Sequence, residues 1–191
     1  MIIKKAEQAD VSEIVELIRM AIDDMAMRYT GYEDVEAINR ALKDLVCQAQ
    51  TRFSYNYIHV ARYKNQIVGQ ITAYPADQLL ELNVAFEGVF NQNADNRSER
   101  LKAVLEAKEG IDGEFYIDSL AIHPNFRGQG VGKLLIKEAE MLASSQGYDK
   151  ISLLVDLNNS NAEALYEKLN FQVDRHMNVL GHQYKHMVKC L

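Results

Sequence analysis

Arg127-Gly128-Gln129-Gly130-Val131-Gly132 stands between a strand-like run, Phe115 to Ile122, and a strongly amphipathic helical run, and such a joint can hold an anion. Glycines lack Cβ, so the backbone can curl and approach a ligand closely, while the first amides of a helix have no intrahelical acceptor. A pyrophosphate fits there, at the positive end of the helix dipole. A P-loop would need a glycine five residues before Gly132-Lys133 and a Ser or Thr after it, and Arg127 and Leu134 occupy those places. The dinucleotide fingerprint G-x-G-x-x-G is not met by G-x-G-x-G, which lies late in the chain and lacks the acidic ribose partner on a following strand.

What remains is Arg-x-x-Gly-x-Gly. The strand before it reads Tyr116-Ile117-Asp118-Ser119-Leu120-Ala121-Ile122-His123-Pro124, and after it comes Asn159-Ser160-Asn161-Ala162-Glu163-Ala164-Leu165-Tyr166-Glu167-Lys168-Leu169-Asn170-Phe171. Together these segments resemble the GNAT superfamily of acyl-CoA-dependent N-acetyltransferases, specifically from Glu114 to Val173 and in architecture alone before that. Asn170 stands where the family pattern has glycine. Asn tolerates the left-handed conformation, so the substitution is expected to preserve the turn that ends the helix.

The resemblance implies acetyl-CoA as cosubstrate. The diphosphate would lie on the segment Arg127, Gly128, Gln129, Gly130, Val131 and Gly132, chiefly on the main-chain amides from Gln129 to Gly132. The pantetheine arm would run beside the main chain of Leu120, Ala121 and Ile122 in the manner of an added strand. The amide of Ile122 would polarise the thioester carbonyl. Asn159 would either contact the pantetheine or cap a helix, for which Asn is well suited. Tyr166 aligns with the family tyrosine that faces the cofactor sulfur. A phenol with a pKa of about 10 holds its proton at neutral pH and can give it to a departing thiolate.

An amine acceptor is protonated at neutral pH and must lose a proton before it attacks. Glu114, Tyr116 and Asp118 share one strand face by period-two alternation, which makes Asp118, then Glu114, the candidate bases, against their reading as solvated or capping carboxylates. His123 reads as structural, and His59, His176, His182 and His186 lack metal-site spacing, so no metal is expected. Neither Cys47 nor Cys190 has an activating neighbour, which favours direct attack in a ternary complex.

The 191 residues, 48% hydrophobic and 25% charged, suit one domain. A net charge of -6 disfavours nucleic acid and welcomes a cationic acceptor. Two cysteines without a disulfide pattern point to the cytoplasm, and no apolar run approaches the roughly 20 residues that cross a bilayer.

The elements that position these residues follow from periodicity. Ile2 to Lys5 reads as a strand, and Asp10-Val11-Ser12-Glu13 as a capping box opening a helix that carries Ile14, Leu17, Ile18, Ala21, Ile22 and Met25. A polar, exposed bend at Thr30-Gly31-Tyr32 leads to a second helix from Asp34 to Ala49. A hairpin spans Ile58 to Tyr74, then an insertion from 76 to 113, then strand, helix, strand, helix from Phe115 to Leu169, and a closing hairpin from Phe171 to Lys189. In the helix after the cradle, Val131, Leu134, Leu135, Ala139 and Leu142 share one face. The sum is an α/β domain with a mixed, twisted, mostly antiparallel sheet of about seven strands and helices on both faces, as the GNAT resemblance also implies.

The expected activity is acetyl transfer to a primary amine of a small molecule or peptide, with a CoA-binding sensor that has lost catalysis as the alternative. The acceptor pocket is expected from the bend at Tyr29 to Glu33, the 76 to 113 insertion and the closing hairpin, with Glu33, Asp34, Glu81 and Glu87 as possible attractants. The open edges of such a sheet leave room for a homodimer.

Overall fold

The computed structural model describes residues 1–191. Seven strands form, the central ones from apolar, β-branched and aromatic runs and the last two from mostly polar ones: β1 (Ile2–Lys5), β2 (Ile58–Tyr63), β3 (Gln66–Pro75), β4 (Phe115–Ile122), β5 (Lys150–Asp156), β6 (Gln172–Val179) and β7 (His182–Cys190). They make one sheet in the order β1-β2-β3-β4-β5-β7-β6. Every neighbouring pair is antiparallel except β4 with β5.

That parallel pair is short, running only from Phe115↔Ile151 to Ile117↔Leu153. Beyond it, β4 stays paired with β3 as far as Gly69↔Ile122, and β5 stays paired with β7 as far as Asp156↔Tyr184. The two strands therefore part, and the β5-facing edge of β4 loses its ladder partner after Ile117.

One face of the sheet is covered by α1 (Val11–Ile22), α2 (Met25–Thr30) and α3 (Val35–Cys47). Ile14, Ile18, Leu42 and Leu45 are fully buried there. The other face carries α7, counted in chain order after three insertion helices: α4 (Leu79–Asn83), α5 (Phe86–Val89) and α6 (Arg97–Leu105) precede α7 (Val131–Ser145). Val131, Leu135, Ile136, Ala139 and Ala143 of α7 bury against Phe115, Ile117, Ile151 and Leu153. The last helix, α8 (Ser160–Lys168), lies on the same side and contributes only half-buried residues, Ala162 and Tyr166 among them.

Local expectations fail where tertiary partners compete. The single helix expected from Asp10 through Met25 breaks at Asp23, whose φ of 44° and ψ of −120° separate α1 from α2. The Asp10/Glu13 capping box does not form. Asp10 instead pairs with Arg62 and accepts from the Glu7 amide at 3.1 Å, and Glu13 accepts from the Ile67 amide at 3.1 Å. The bend after α2 is largely buried rather than exposed: Tyr29 and Thr30 lie inside, and Tyr29 stacks on Phe86 with ring centroids 5.4 Å apart. Leu134, placed by periodicity on the apolar face, is 44% exposed. The 76 to 113 insertion packs Phe86, Phe90, Leu101 and Val104 into the same core as α1 and α3.

Candidate active site

Where β4 and β5 part, a cleft of about 790 Å³ opens, bounded by Leu120, Ala121 and Ile122, by the loop from Arg127 into the start of α7, and by Asn159 and Tyr166. Gly128 and Gly130 have φ of 73° and 80°, a left-handed backbone that a side chain would strain, and a Cβ at either would meet nothing within 4 Å. The space over the loop is thus left clear by the protein. The first helical bond here runs from the Leu134 amide to the Gly130 carbonyl at 3.2 Å, which leaves the amides of Val131, Gly132 and Lys133 without intrahelical acceptors. Arg127 Nε donates to the Ile122 carbonyl at 3.2 Å and ties the loop to the end of β4. Gln129 sits on the exposed crest, its side chain donating to the Asn125 carbonyl at 3.0 Å. Free amides, open space and the cations Arg127, Lys133 and Lys168 suit a diphosphate, and the unpaired edge of β4 suits an extended arm.

Asn159 caps α8, accepting from the Ala162 amide at 3.1 Å. Its side-chain carbonyl is committed, while its NH₂ group remains able to donate into the cleft. Asn170 has φ of 69°, the left-handed turn expected of it.

Tyr166 lies at a junction. It borders both the cleft and a second cavity of about 470 Å³, whose walls include Asp23, Asp24, Asp118, Asp156 and Tyr184. Burial pushes the Tyr166 phenol up to about 12, although the residue as a whole is only half-buried. Burial also lifts Tyr184 to about 12, helped by the carboxylates of Glu109, Asp156 and Asp24.

Behind the second cavity Asp118 belongs to a buried group, with Arg52 and Glu109, that the sequence does not bring together. Arg52 is fully buried and donates from Nε and Nη2 to the two oxygens of Asp118 at 2.8 Å each, and from Nη1 and Nη2 to Glu109 at 2.6 and 2.8 Å. Tyr74 donates to Asp118 at 2.5 Å, and Tyr29 and Tyr116 donate to Glu109 at 2.6 and 3.0 Å. One guanidinium thus serves two carboxylates, and the phenols fill the remaining acceptor positions of Glu109 and one of Asp118, whose Oδ1 accepts only from Arg52. Burial raises the pKa of Asp118 despite Arg52, whereas for Glu109 the opposing effect of Arg52 and the phenols outweighs burial and lowers it. Burial disfavours the charge on Arg52, but Asp118 and Glu109 more than offset it. No spacing signal marks this group, because Arg52 stands 57 and 66 residues from its partners.

The two candidate bases diverge. Asp118 borders the second cavity, but its side chain is 2% exposed and held by Arg52 and Tyr74. Glu114 precedes β4 and meets His186 Nε2 at 3.0 Å, away from both cavities; burial would raise its pKa, but the contact with His186 outweighs it and holds the carboxyl low. The residues expected to attract the acceptor, Glu33, Asp34, Glu81 and Glu87, are exposed and border neither cavity. The second cavity is walled by the α1–α2 junction, β4, β5 and Tyr184 of the closing hairpin, and the insertion supplies Glu109 behind Asp118.

A split mixed sheet with a glycine-led helix at the split is the architecture of acyl-CoA N-acyltransferases. The chain belongs to the acetyltransferase (GNAT) family, whose model matches residues 19–171. Similar curated proteins include acetyltransferase SG1711 of Sodalis glossinidius, 30% identical over 88 residues, and acetyltransferase ECA0875 of Pectobacterium atrosepticum, 33% identical over 79. These matches take in 46% and 41% of this chain and 61% and 55% of those relatives. Among solved structures, an N-acetyltransferase from Staphylococcus aureus Mu50 superposes with a TM-score of 0.83 at 27% identity, over 99% of this chain and 100% of that one. The PaiA N-acetyltransferase of Thermoplasma acidophilum, solved with coenzyme A, shares the fold alone, with a TM-score of 0.57 at 18% identity over 100% and 98% of the two chains.

Proposed function

We propose that the chain transfers an acetyl group from acetyl-CoA to a primary amine by direct attack while both are bound, in the cytoplasm. The observation that carries this reading is the parting of β4 from β5 after Ile117↔Leu153, with a clear glycine cradle on one side of Tyr166 and an acidic cavity on the other. Acetyl-CoA supplies an activated thioester. The amides of Val131, Gly132 and Lys133, with Arg127, hold its diphosphate at the positive end of α7. The main chain of Leu120, Ala121 and Ile122 aligns the arm, and the Ile122 amide donates to the carbonyl oxygen as charge develops on it.

Proton movement is assigned to two side chains. Asp118 borders the acceptor cavity, and although Arg52 and Tyr74 hold its enclosed carboxyl, burial raises its affinity for a proton, so it is assigned the proton of the incoming ammonium. Tyr166, at the junction, keeps its own proton at neutral pH and donates it to the leaving thiolate. Glu114, engaged with His186, belongs to the sheet rather than to proton transfer.

Release of free thiol from acetyl-CoA across a panel of amines tests the reading. Thiol release that depends on an amine and yields an N-acetyl product is the expected outcome. A chain that binds CoA tightly yet releases thiol with no acceptor would be a binding module instead.

A further inference from the structure

The buried group behind the second cavity holds one guanidinium and two carboxylates, so a net negative charge remains and a single proton would neutralise it. Which carboxylate takes that proton follows from their acceptor positions, two on each oxygen. On Glu109 all of them are filled. Oε1 accepts from Tyr29 and from Arg52 Nη1, each at 2.6 Å, and Oε2 accepts from Arg52 Nη2 at 2.8 Å and from Tyr116 at 3.0 Å. On Asp118, Oδ2 accepts from Arg52 Nε and Tyr74, whereas Oδ1 accepts from Arg52 Nη2 alone. A proton on Glu109 would displace a donor, and a proton on Asp118 Oδ1 displaces none. Asp118 also borders the second cavity, and Glu109 borders neither cavity.

The other titratable groups around Asp118 offer the proton no better place. Tyr29 of α2, Tyr74 of β3 and Tyr116 of β4 are phenols whose pKa burial raises well above the ordinary value. Across the cavity, Tyr166 and Tyr184 are pushed up to about 12. Asp23, Asp24 and Asp156 share the cavity but make no bond to Arg52 or Asp118. Paired with Arg52 alone, Asp118 would hold its charge firmly. Glu109 instead takes Nη1 and a share of Nη2, and its own charge stands beside Asp118. Burial raises the pKa of Asp118, Arg52 opposes this, and the Glu109 charge raises it further.

We infer that Glu109 is a positioning residue for the reaction: by filling its own acceptor positions and dividing Arg52, it leaves Asp118 Oδ1 as the one place in the group where the acceptor's proton can go. The inference rests on the proposed acetyl transfer with Asp118 as base. In the step assigned to it, an N–H bond of the ammonium breaks and an O–H bond forms at Oδ1, giving a neutral amine and a neutral carboxyl.

Carboxyl-carbon NMR of the full chain, with Asp118→Asn and Glu109→Gln assigning the two resonances, tests this together with the pH dependence of acetyl transfer. In the parent, Asp118 should titrate while Glu109 stays flat down to about pH 5. Glu109→Gln should move the Asp118 titration down by about one pH unit, and with it the acid limb of kcat/KM for the amine turned over fastest in the panel above. The plateau kcat should fall about tenfold, with KM for acetyl-CoA within about twofold. The hydroxyls of Tyr29 and Tyr116 can turn to accept from the introduced amide, so the variant should fold, as circular dichroism would verify. A folded Glu109→Gln with both the titration and the limb unmoved makes Glu109 merely structural and overturns the inference, while the proposed acetyl transfer stands. Titration of Glu109 in place of Asp118 in the parent overturns it as well, and that measurement decides even if the variant does not fold. An acid limb that survives in Asp118→Asn removes Asp118 as the base and the inference with it. If no amine is acetylated by a chain that still binds CoA, the proposed function falls too.

Discussion

Tyr166 borders both cavities, so a proton leaving its phenol has the reaction centre as its nearest destination. Its raised pKa keeps it protonated at neutral pH and available as an acid. Tyr166→Phe removes only the hydroxyl. We expect kcat to fall by about 10²-fold, in the range of general acid catalysis, with acetyl-CoA affinity within about twofold by calorimetry. A variant with the parent's turnover would remove Tyr166 from proton transfer. Gly130 is held to its residue type by φ of 80° rather than by crowding, since a Cβ there meets no neighbour. A β-branched residue at that φ costs about 1–2 kcal/mol and turns the loop's amides away from the diphosphate. Gly130→Val should weaken CoA binding by about tenfold, the loss of one hydrogen bond to a charged group, and lower the melting temperature only slightly. Unchanged CoA affinity would refute the cradle.

At the scale of elements, β4 is the member that every part of the site touches. Its β5-facing edge is opened after Ile117, its end is tied to the loop by Arg127, and Asp118 anchors it through Arg52 to Glu109 at the end of the insertion. Removing one partner of a buried ion group leaves the others uncompensated, which costs about 3–5 kcal/mol. Arg52→Met should lose roughly that much in urea unfolding. Without the guanidinium, burial raises the folded-state pKa of Asp118 and Glu109 above their unfolded values. The folded variant then binds protons that the unfolded chain has released, so its stability is greatest below about pH 4 and declines as pH rises toward the raised folded-state values. A loss independent of pH would mean that Arg52 matters through packing alone. The missing capping box belongs to this scale as well. Asp10 and Glu13 have the spacing of a cap, yet Arg62 and the Ile67 amide take their carboxylates, because tertiary partners outcompete a local turn.

For the whole molecule, one sheet separates two large cores, and the insertion joins the larger through Phe86, Phe90, Leu101 and Val104 and packs Leu79 and Leu82 with Tyr74 and Tyr116 in a third, smaller cluster. An insertion anchored by buried aromatic residues does not unfold alone. Urea unfolding followed by far-ultraviolet and by near-ultraviolet circular dichroism, the latter reporting the tyrosines, should give one coincident transition. Two separated midpoints would show that residues 76 to 113 form their own cooperative unit. The charge contrast across the cleft also exists only at this scale, since Lys133 and Lys168 come from α7 and α8 while Asp23 and Asp156 come from the α1–α2 junction and β5.

The sequence alone determined what backbone chemistry makes local. Short apolar runs in Phe115 to Ile122 and in Lys150 to Val155 marked β4 and β5, positive φ was legible at Gly128, Gly130 and Asn170, and the amides at the start of α7 followed from any helix beginning there. Tertiary structure decided what depends on groups from distant parts of the chain. It broke the first helix at Asp23, buried Tyr29, enclosed Arg52 between two carboxylates, and left Glu33 and Glu87 outside both cavities while Asp23 and Asp156 border one of them. Peptide amides and dihedral preferences act over a few residues and leave a pattern in the order of the chain. Charge pairing and cavities arise between side chains that only folding brings within a few ångströms, and no period records them.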